Sequence, residues 1–140
     1  MRLIVDTNIL ISALLSRSSA AAQLLDHWER RRFEVLTCEA QLDELTRVTR
    51  YPEIRARLAP SAAGSLVNQL RQVATVVRDL PAVDVSADPA DNWLPGLAEA
   101  GSADYIVSGD RRDVVALGKH GGTRIVTLVD LLKMFDRSGR

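Results

Sequence analysis

Two aspartates stand just beyond aliphatic runs that read as buried strands. Leu3-Ile4-Val5 leads straight into Asp6-Thr7-Asn8, and Tyr105-Ile106-Val107 leads into Ser108-Gly109-Asp110. A carboxylate in such a place either caps the turn or helix that follows or faces the crevice past the strand ends, where the ligands of α/β sheets collect. Two further acids belong to helical segments. In Gln41-Leu42-Asp43-Glu44-Leu45 the apolar stripe is Leu42, Leu45 and Val48. At about 100° per residue, Glu44 projects roughly 80° from the middle of that stripe and Asp43 points almost directly away from it. Glu44 is therefore expected to reach a cleft beside the core, or to be an ordinary polar residue of an amphipathic helix, while Asp43 faces solvent. In Asp88-Pro89-Ala90-Asp91-Asn92, Asp88 reads as an N-cap before proline. Asp91 falls at the positive end of the helix that follows. A helix start near Asn92 keeps Pro95 in the first turn, where its missing N–H breaks no bond.

Five short aliphatic runs supply the strands that must position these acids: Leu3 to Val5, Phe33 to Leu36, Ala74 to Val77, Tyr105 to Val107, and Arg124 to Val126. Helices are expected over 9–15, 20–31, 38–47, 61–72, 92–100, 111–117 and 128–135, with a break at Tyr51-Pro52 and a terminator at Gly101. Strands alternating with helices predict an α/β fold built on a mostly parallel five-stranded sheet with helices on both faces. The 140 residues make one domain, expected over 1–135 with a short tail at 136–140.

Composition narrows the function. The chain is 46% hydrophobic and only 4% aromatic, which suits helices packed on aliphatic strands. A single cysteine, Cys38, excludes an internal disulfide and four-cysteine zinc sites. No signal peptide and no run of roughly 18 apolar residues is present, so a cytoplasmic protein with no membrane association is expected. Lys+Arg and Asp+Glu both total 18, leaving zero formal net charge and no bulk basic field for nucleic acid. Local cations are Arg30-Arg31-Arg32, which read as a solvated helix end, and the pair Arg111-Arg112.

The order Leu3-Ile4-Val5-Asp6-Thr7-Asn8, helical Glu44, Asp88-Pro89-Ala90-Asp91-Asn92 and Ser108-Gly109-Asp110 resembles the PIN-domain nucleases. It is closer still to their small bacterial toxin components, the VapC-like ribonucleases. The approach to the fourth strand, Leu97 to Val107, and the segment Ile125-Val126-Thr127 before a last helix are similar as well. The resemblance spans about residues 1 to 135. It implies a three-layer PIN-like fold with an acidic pocket at the strand ends, formed by Asp6, Glu44, Asp91 and Asp110. Asn8 and Ser108 match positions that support the acids. Three residues depart from the pattern: Pro95 inside the expected helix, Arg111-Arg112 after Asp110, and Cys38 where a Ser or Thr usually caps the helix of Glu44.

Four carboxylates in one pocket repel, by roughly 4 kcal/mol for a pair about 4 Å apart at an effective dielectric near 20. A divalent cation relieves this, and all-oxygen ligands select Mg2+ or Mn2+. His27 and His120 lie outside the set, which argues against zinc. The resemblance thus implies metal-dependent hydrolysis of an RNA phosphodiester, with Arg111 and Arg112 as candidate contacts to the nucleic acid. It also implies a cognate antitoxin whose arginine enters the acidic pocket. The apolar helices around Leu14 to Leu25 are either a surface for a homodimer or part of the core. The alternative is a PIN-like module that binds RNA or protein without cutting it. Phosphatases that form an aspartyl-phosphate fit less well, because position 8 is Asn rather than a second Asp. Response-regulator receivers also fit less well, because the last strand supplies no Lys.

Overall fold

Aliphatic runs buried on both sides become the inner strands of a parallel sheet. The computed structural model describes residues 1–80, 93–108, 119–120 and 122–137. Its strands are β1 (Arg2–Val5), β2 (Glu34–Thr37), β3 (Thr75–Val76), β4 (Tyr105–Ser108), β5 (Lys119–His120) and β6 (Thr123–Thr127). They form one sheet in the order β3-β2-β1-β4-β6-β5. The five expected strands are parallel, with Leu3 opposite both Val35 and Tyr105 and with Val107 opposite both Val5 and Val126. The chain lays down β1, β2 and β3 towards one edge and then returns to place β4 on the other side of β1. Direction therefore reverses between β1 and β4, which is where a crevice opens past the strand ends.

The sixth strand was not expected. β5 pairs antiparallel with β6 through Lys119↔Arg124 and His120↔Thr123. It has no aliphatic run to announce it, and the usable signal was Gly121-Gly122, a dipeptide suited to a two-residue hairpin.

The helices are α1 (Thr7–Leu15), α2 (Ala20–Glu29), α3 (Glu39–Val48), α4 (Pro52–Arg55), α5 (Pro60–Val73), α6 (Trp93–Gly101) and α7 (Leu128–Arg137). Side chains alternate across the strands. Leu3, Val5, Val35 and Val107 meet Leu10 of α1, Leu24 of α2, Leu42 of α3, Leu70 of α5 and Leu131 of α7. Ile4, Leu36 and Ile106 meet Leu94, Leu97 and Ala98 of α6 on the opposite face. The three-layer α/β arrangement is thus present, and each fully buried Leu stabilises it by about 1.5–3 kcal/mol. Among the described residues, no helix is long and apolar enough to cross a membrane.

Helix ends show what the sequence reading missed. The break at Tyr51-Pro52 is the start of α4, with Pro52 in the first turn where its ring fits. α2 stops at Glu29 because Arg31 adopts φ 59°, with its N–H on the Trp28 carbonyl at 2.8 Å and the Arg32 N–H on the His27 carbonyl at 3.1 Å. Arg30 pairs with Asp26 at 3.3 Å, and Arg32 lies 2.7 Å from His27 Nδ1. The Arg30–Arg32 run is therefore a helix terminus leading into the amino end of β2, away from the strand ends that carry Asp6. His27 stacks on Phe135 at 4.7 Å. The helix expected over 111–117 lies outside the described residues.

Gly101 was expected to terminate α6 through its backbone freedom, and the structure corrects this. The left-handed residue is Ser102, at φ 52°. Ala103 N–H bonds the Ala98 carbonyl at 3.1 Å and Ser102 N–H bonds the Glu99 carbonyl at 3.4 Å, the pair of bonds that closes a Schellman cap. Gly101 is needed for space, because a Cβ there would lie 2.7 Å from Leu36 Cδ1. Gly101→Ala is expected to lower stability by about 1–3 kcal/mol through overpacking. Ser102→Gly should raise it by about 0.5 kcal/mol by relieving the left-handed strain. Urea unfolding midpoints at constant slope would show both.

Candidate active site at the carboxyl edge of the sheet

Asp6 leaves β1 at the point of reversal and begins α1. Its N–H donates to the Val107 carbonyl at 3.0 Å, which extends the β1–β4 ladder by one rung. Its carbonyl accepts from Ile9 and Leu10 at 3.0 and 3.3 Å, and its Oδ1 accepts from the Asn8 N–H at 3.4 Å. Asp6 is therefore the N-cap of α1. Capping and placement at the crevice, the two readings open from sequence, coexist in one residue. The fully buried Ser108, at the end of β4, donates its hydroxyl to Asp6 Oδ2 at 3.4 Å. The half-buried carboxylate thus sits at the positive end of a helix, with an N–H and a hydroxyl turned towards it. Asn8 itself is exposed, and the contact it makes with Asp6 is through its backbone N–H rather than its amide.

The second acid comes from α3, which starts directly after β2. Three acids on this helix are sorted by their surroundings. Glu39 is held by Arg71 of α5 in a bidentate pair at 2.7 and 3.1 Å, which keeps its carboxyl below the usual range. Asp43 is exposed and Glu44 half-buried, as the helical geometry predicts. Glu44 forms no ion pair among the described residues. Its charge reaches Cys38: burial pushes the thiol up, the backbone N–H groups of Gln41 and Ala40 oppose this, and Glu39 and Glu44 raise it further. Cys38 is the N-cap of α3 but makes no side-chain cap hydrogen bond. A thiol kept neutral is a poor metal ligand, because the thiolate is the form that binds.

Three buried polar residues beside these acids were missed by sequence reasoning. Gln41 donates from Nε2 to the Val5 carbonyl at 2.6 Å and lies 3.4 Å from Thr7 Oγ1, while Thr37 Oγ1 donates to Gln41 Oε1 at 2.7 Å. All three are at most 1% exposed. The signal was there: Gln41 lies four residues before Leu45, hence on the apolar stripe of α3, where a polar residue needs a buried partner.

Asp91, Asp110, Arg111 and Arg112 lie outside the described residues, as do Asp88 and Asn92. In sequence, Asp91 precedes Trp93 of α6 by two positions and Asp110 follows Ser108 by two. Pro95 falls in the first turn of α6, as expected. Among the described residues, no group of three or more His, Cys, Asp or Glu side chains could hold a metal ion. Among the described residues the structure brings together Asp6, Ser108, the Asn8 N–H and the Gln41 network, while Glu44 stands half-buried on α3, three residues after Gln41.

A family model described as PIN domain matches residues 2–112. The fold is similar to a chain in the crystal structure of VapBC2 from Rickettsia felis bound to a DNA fragment from their promoter. Identity is 13%, the TM-score is 0.57, and the match covers 91% of this chain and 98% of that one. No curated protein matches the chain.

Cys38 yields a measurable consequence. A thiol whose folded pKa exceeds its unfolded one loses its proton first in the unfolded chain, so stability falls as pH rises past about 8.5. The unfolding free energy of the parent should decline above that pH more steeply than that of Cys38→Ala, by at most about 1.4 kcal/mol per pH unit. Equal slopes for the two proteins would contradict the raised thiol.

Proposed function

The chain belongs to the PIN-domain family, and from that premise we propose that it is a Mg2+- or Mn2+-dependent endoribonuclease, the toxin component of a toxin–antitoxin pair. The observation that carries the reading is the meeting of Asp6 and Ser108 at the reversal point between β1 and β4. The matched stretch, residues 2–112, includes Asp6, Glu44, Asp91 and Asp110. The donor set fits a hard divalent ion. The acids offer oxygen only, the nearby Cys38 thiol is held neutral, and His27 is stacked on Phe135 at the other end of the strands.

In this reading Asp6 and Asp110 would be the main residues to hold the ion, and Glu44 and Asp91 would assist directly or through water. A bound divalent ion supplies Lewis acidity at a phosphate oxygen and eases deprotonation of water. Glu44 or Asp91 takes the proton of the attacking water, a new O–P bond forms in line, and the P–O3′ bond breaks. The 3′ oxygen takes a proton from solvent water as it leaves, giving 5′-phosphate and 3′-hydroxyl ends. Ser108 and the Asn8 N–H hold the Asp6 carboxylate in orientation. Arg111 and Arg112 contact the RNA backbone, where cations compensate a chain with zero net charge.

The likeness to a VapBC2 chain supports a protein antitoxin as partner. An arginine from it would match the acidic pocket by charge-assisted hydrogen bonds. A homodimer and a cytoplasmic location belong to the same reading.

The test is cleavage of RNA by the full chain with Mg2+ or Mn2+. Asp6→Asn, Glu44→Gln and Asp110→Asn should each lose about 10–100-fold or more. Chelator should abolish cutting, and Asp43→Asn, on the solvent side of α3, should cut like the parent. Parental rates in the Asp6 and Asp110 variants would reject the assignment.

A further inference from the structure

A buried side-chain amide is tolerated only where its donors and acceptor find partners, and where they do it fixes the elements it joins. Gln41 is 1% exposed. Its Nε2 donates to the carbonyl of Val5 at 2.6 Å and lies 3.4 Å from Thr7 Oγ1, so its two contacts on that side flank Asp6 in the chain. On the other side its Oε1 accepts from Thr37 at the end of β2 at 2.7 Å. Glu44 lies three residues further along α3, less than one helical turn away. One side chain thus ties the strand that delivers Asp6 to the helix that delivers Glu44, at the root of both.

We propose that Gln41 is a positioning residue of the metal site: it sets the rotation and height of α3 against the β1–α1 turn, and so the separation of the Glu44 and Asp6 carboxylates. The inference rests on the ribonuclease reading above, in which both acids serve the ion. In this role Gln41 touches neither substrate nor ion and acts through the Val5 carbonyl and the Thr7 hydroxyl, on either side of Asp6. Partners of this kind behind metal ligands typically govern affinity or rate by 10–100-fold. A residue that only filled the core would not act on the ion in this selective way.

The experiment uses the full chain and Mn2+. Gln41→Met keeps length, volume and helix propensity and removes every polar contact. It should weaken Mn2+ binding in calorimetric titration by about 10–100-fold and lower kcat for RNA by a similar factor with KM unchanged. Thr37→Val removes only the Oε1 anchor and should give a smaller change in the same direction; it also reads the role if Gln41→Met fails to fold. Leu24→Ala, a core deletion in α2, is the control: it should lower the urea midpoint yet leave Mn2+ affinity at the parental value.

If folded Gln41→Met binds Mn2+ and cuts RNA like the parent, or if Leu24→Ala weakens the ion as much, Gln41 is not a positioning residue. If Gln41→Met does not fold and Thr37→Val matches the parent, the same conclusion follows. If the parent binds no Mn2+ and cuts no RNA, the ribonuclease reading fails first and takes this inference with it.

Discussion

The 3.0 Å hydrogen bond from the Asp6 N–H to the Val107 carbonyl decides where β1 stops being a strand and α1 begins. Below it every residue of β1 from Leu3 to Val5 is buried and flanked by parallel neighbours. Above it the chain must turn, because Asp6 has taken the cap position and its carbonyl already serves the first turn of α1. The backbone of Asp6 is therefore fixed by bonding on two sides, and its carboxylate is directed by the Asn8 N–H and the Ser108 hydroxyl. Since β1 and β4 flank the reversal of strand order, that placement puts it over the crevice rather than beneath a crossover.

The two ends of the sheet use acids differently. At the amino end, Arg2 gathers them: its N–H bonds Asp104 at 2.7 Å, its guanidinium meets Glu34 at 3.2 Å and the Gly101 carbonyl at 2.9 Å. These contacts knit β1, β2 and the end of α6 together. At the carboxyl end, Asp6 meets an N–H and a hydroxyl at 3.4 Å. Equal totals of acidic and basic residues hide this separation, so net charge says little about what either end can bind.

Legibility followed the strength of the local signal. β1 and β4 could be read because continuous aliphatic runs have one good explanation in an α/β chain, and Asp6 could be read from its place after one of them. The difference between Glu44 and Asp43 followed from helical arithmetic alone. β5 was hidden because two polar residues carry no hydrophobic period, and the cap at Ser102 because a serine at positive φ has no sequence mark. Gln41 was hidden for another reason. One polar residue on an apolar stripe looks like noise until the sheet order places Val5, Thr7 and Thr37 around it. The adjacency of β1 and β4, which joins Asp6 to Ser108, is likewise a property of topology that no local pattern encodes.

Cys38 and Gln41 are best understood together. The first turn of α3 leaves N–H groups that a Ser or Thr cap would satisfy for about 1 kcal/mol. Cys38 makes no cap hydrogen bond of that strength: its buried thiol packs with Ile4 and Leu36 and interacts only weakly with the N–H groups of Ala40 and Gln41. Something else must hold the helix against the strand ends. The Arg71–Glu39 pair is exposed and screened by salt, so it contributes little. The buried bonds of Gln41 to Val5 and Thr37 contribute about 0.5–1.5 kcal/mol each, and leaving their partners unmet would cost more. On these magnitudes the burial of Leu42 and Leu45 holds α3 to the sheet, and the inner network, more than the cap, adds to it and fixes its register. The anchoring acts on the core side of the helix, next to the turn that carries Asp6, and so it joins α3 to the residues on either side of that aspartate.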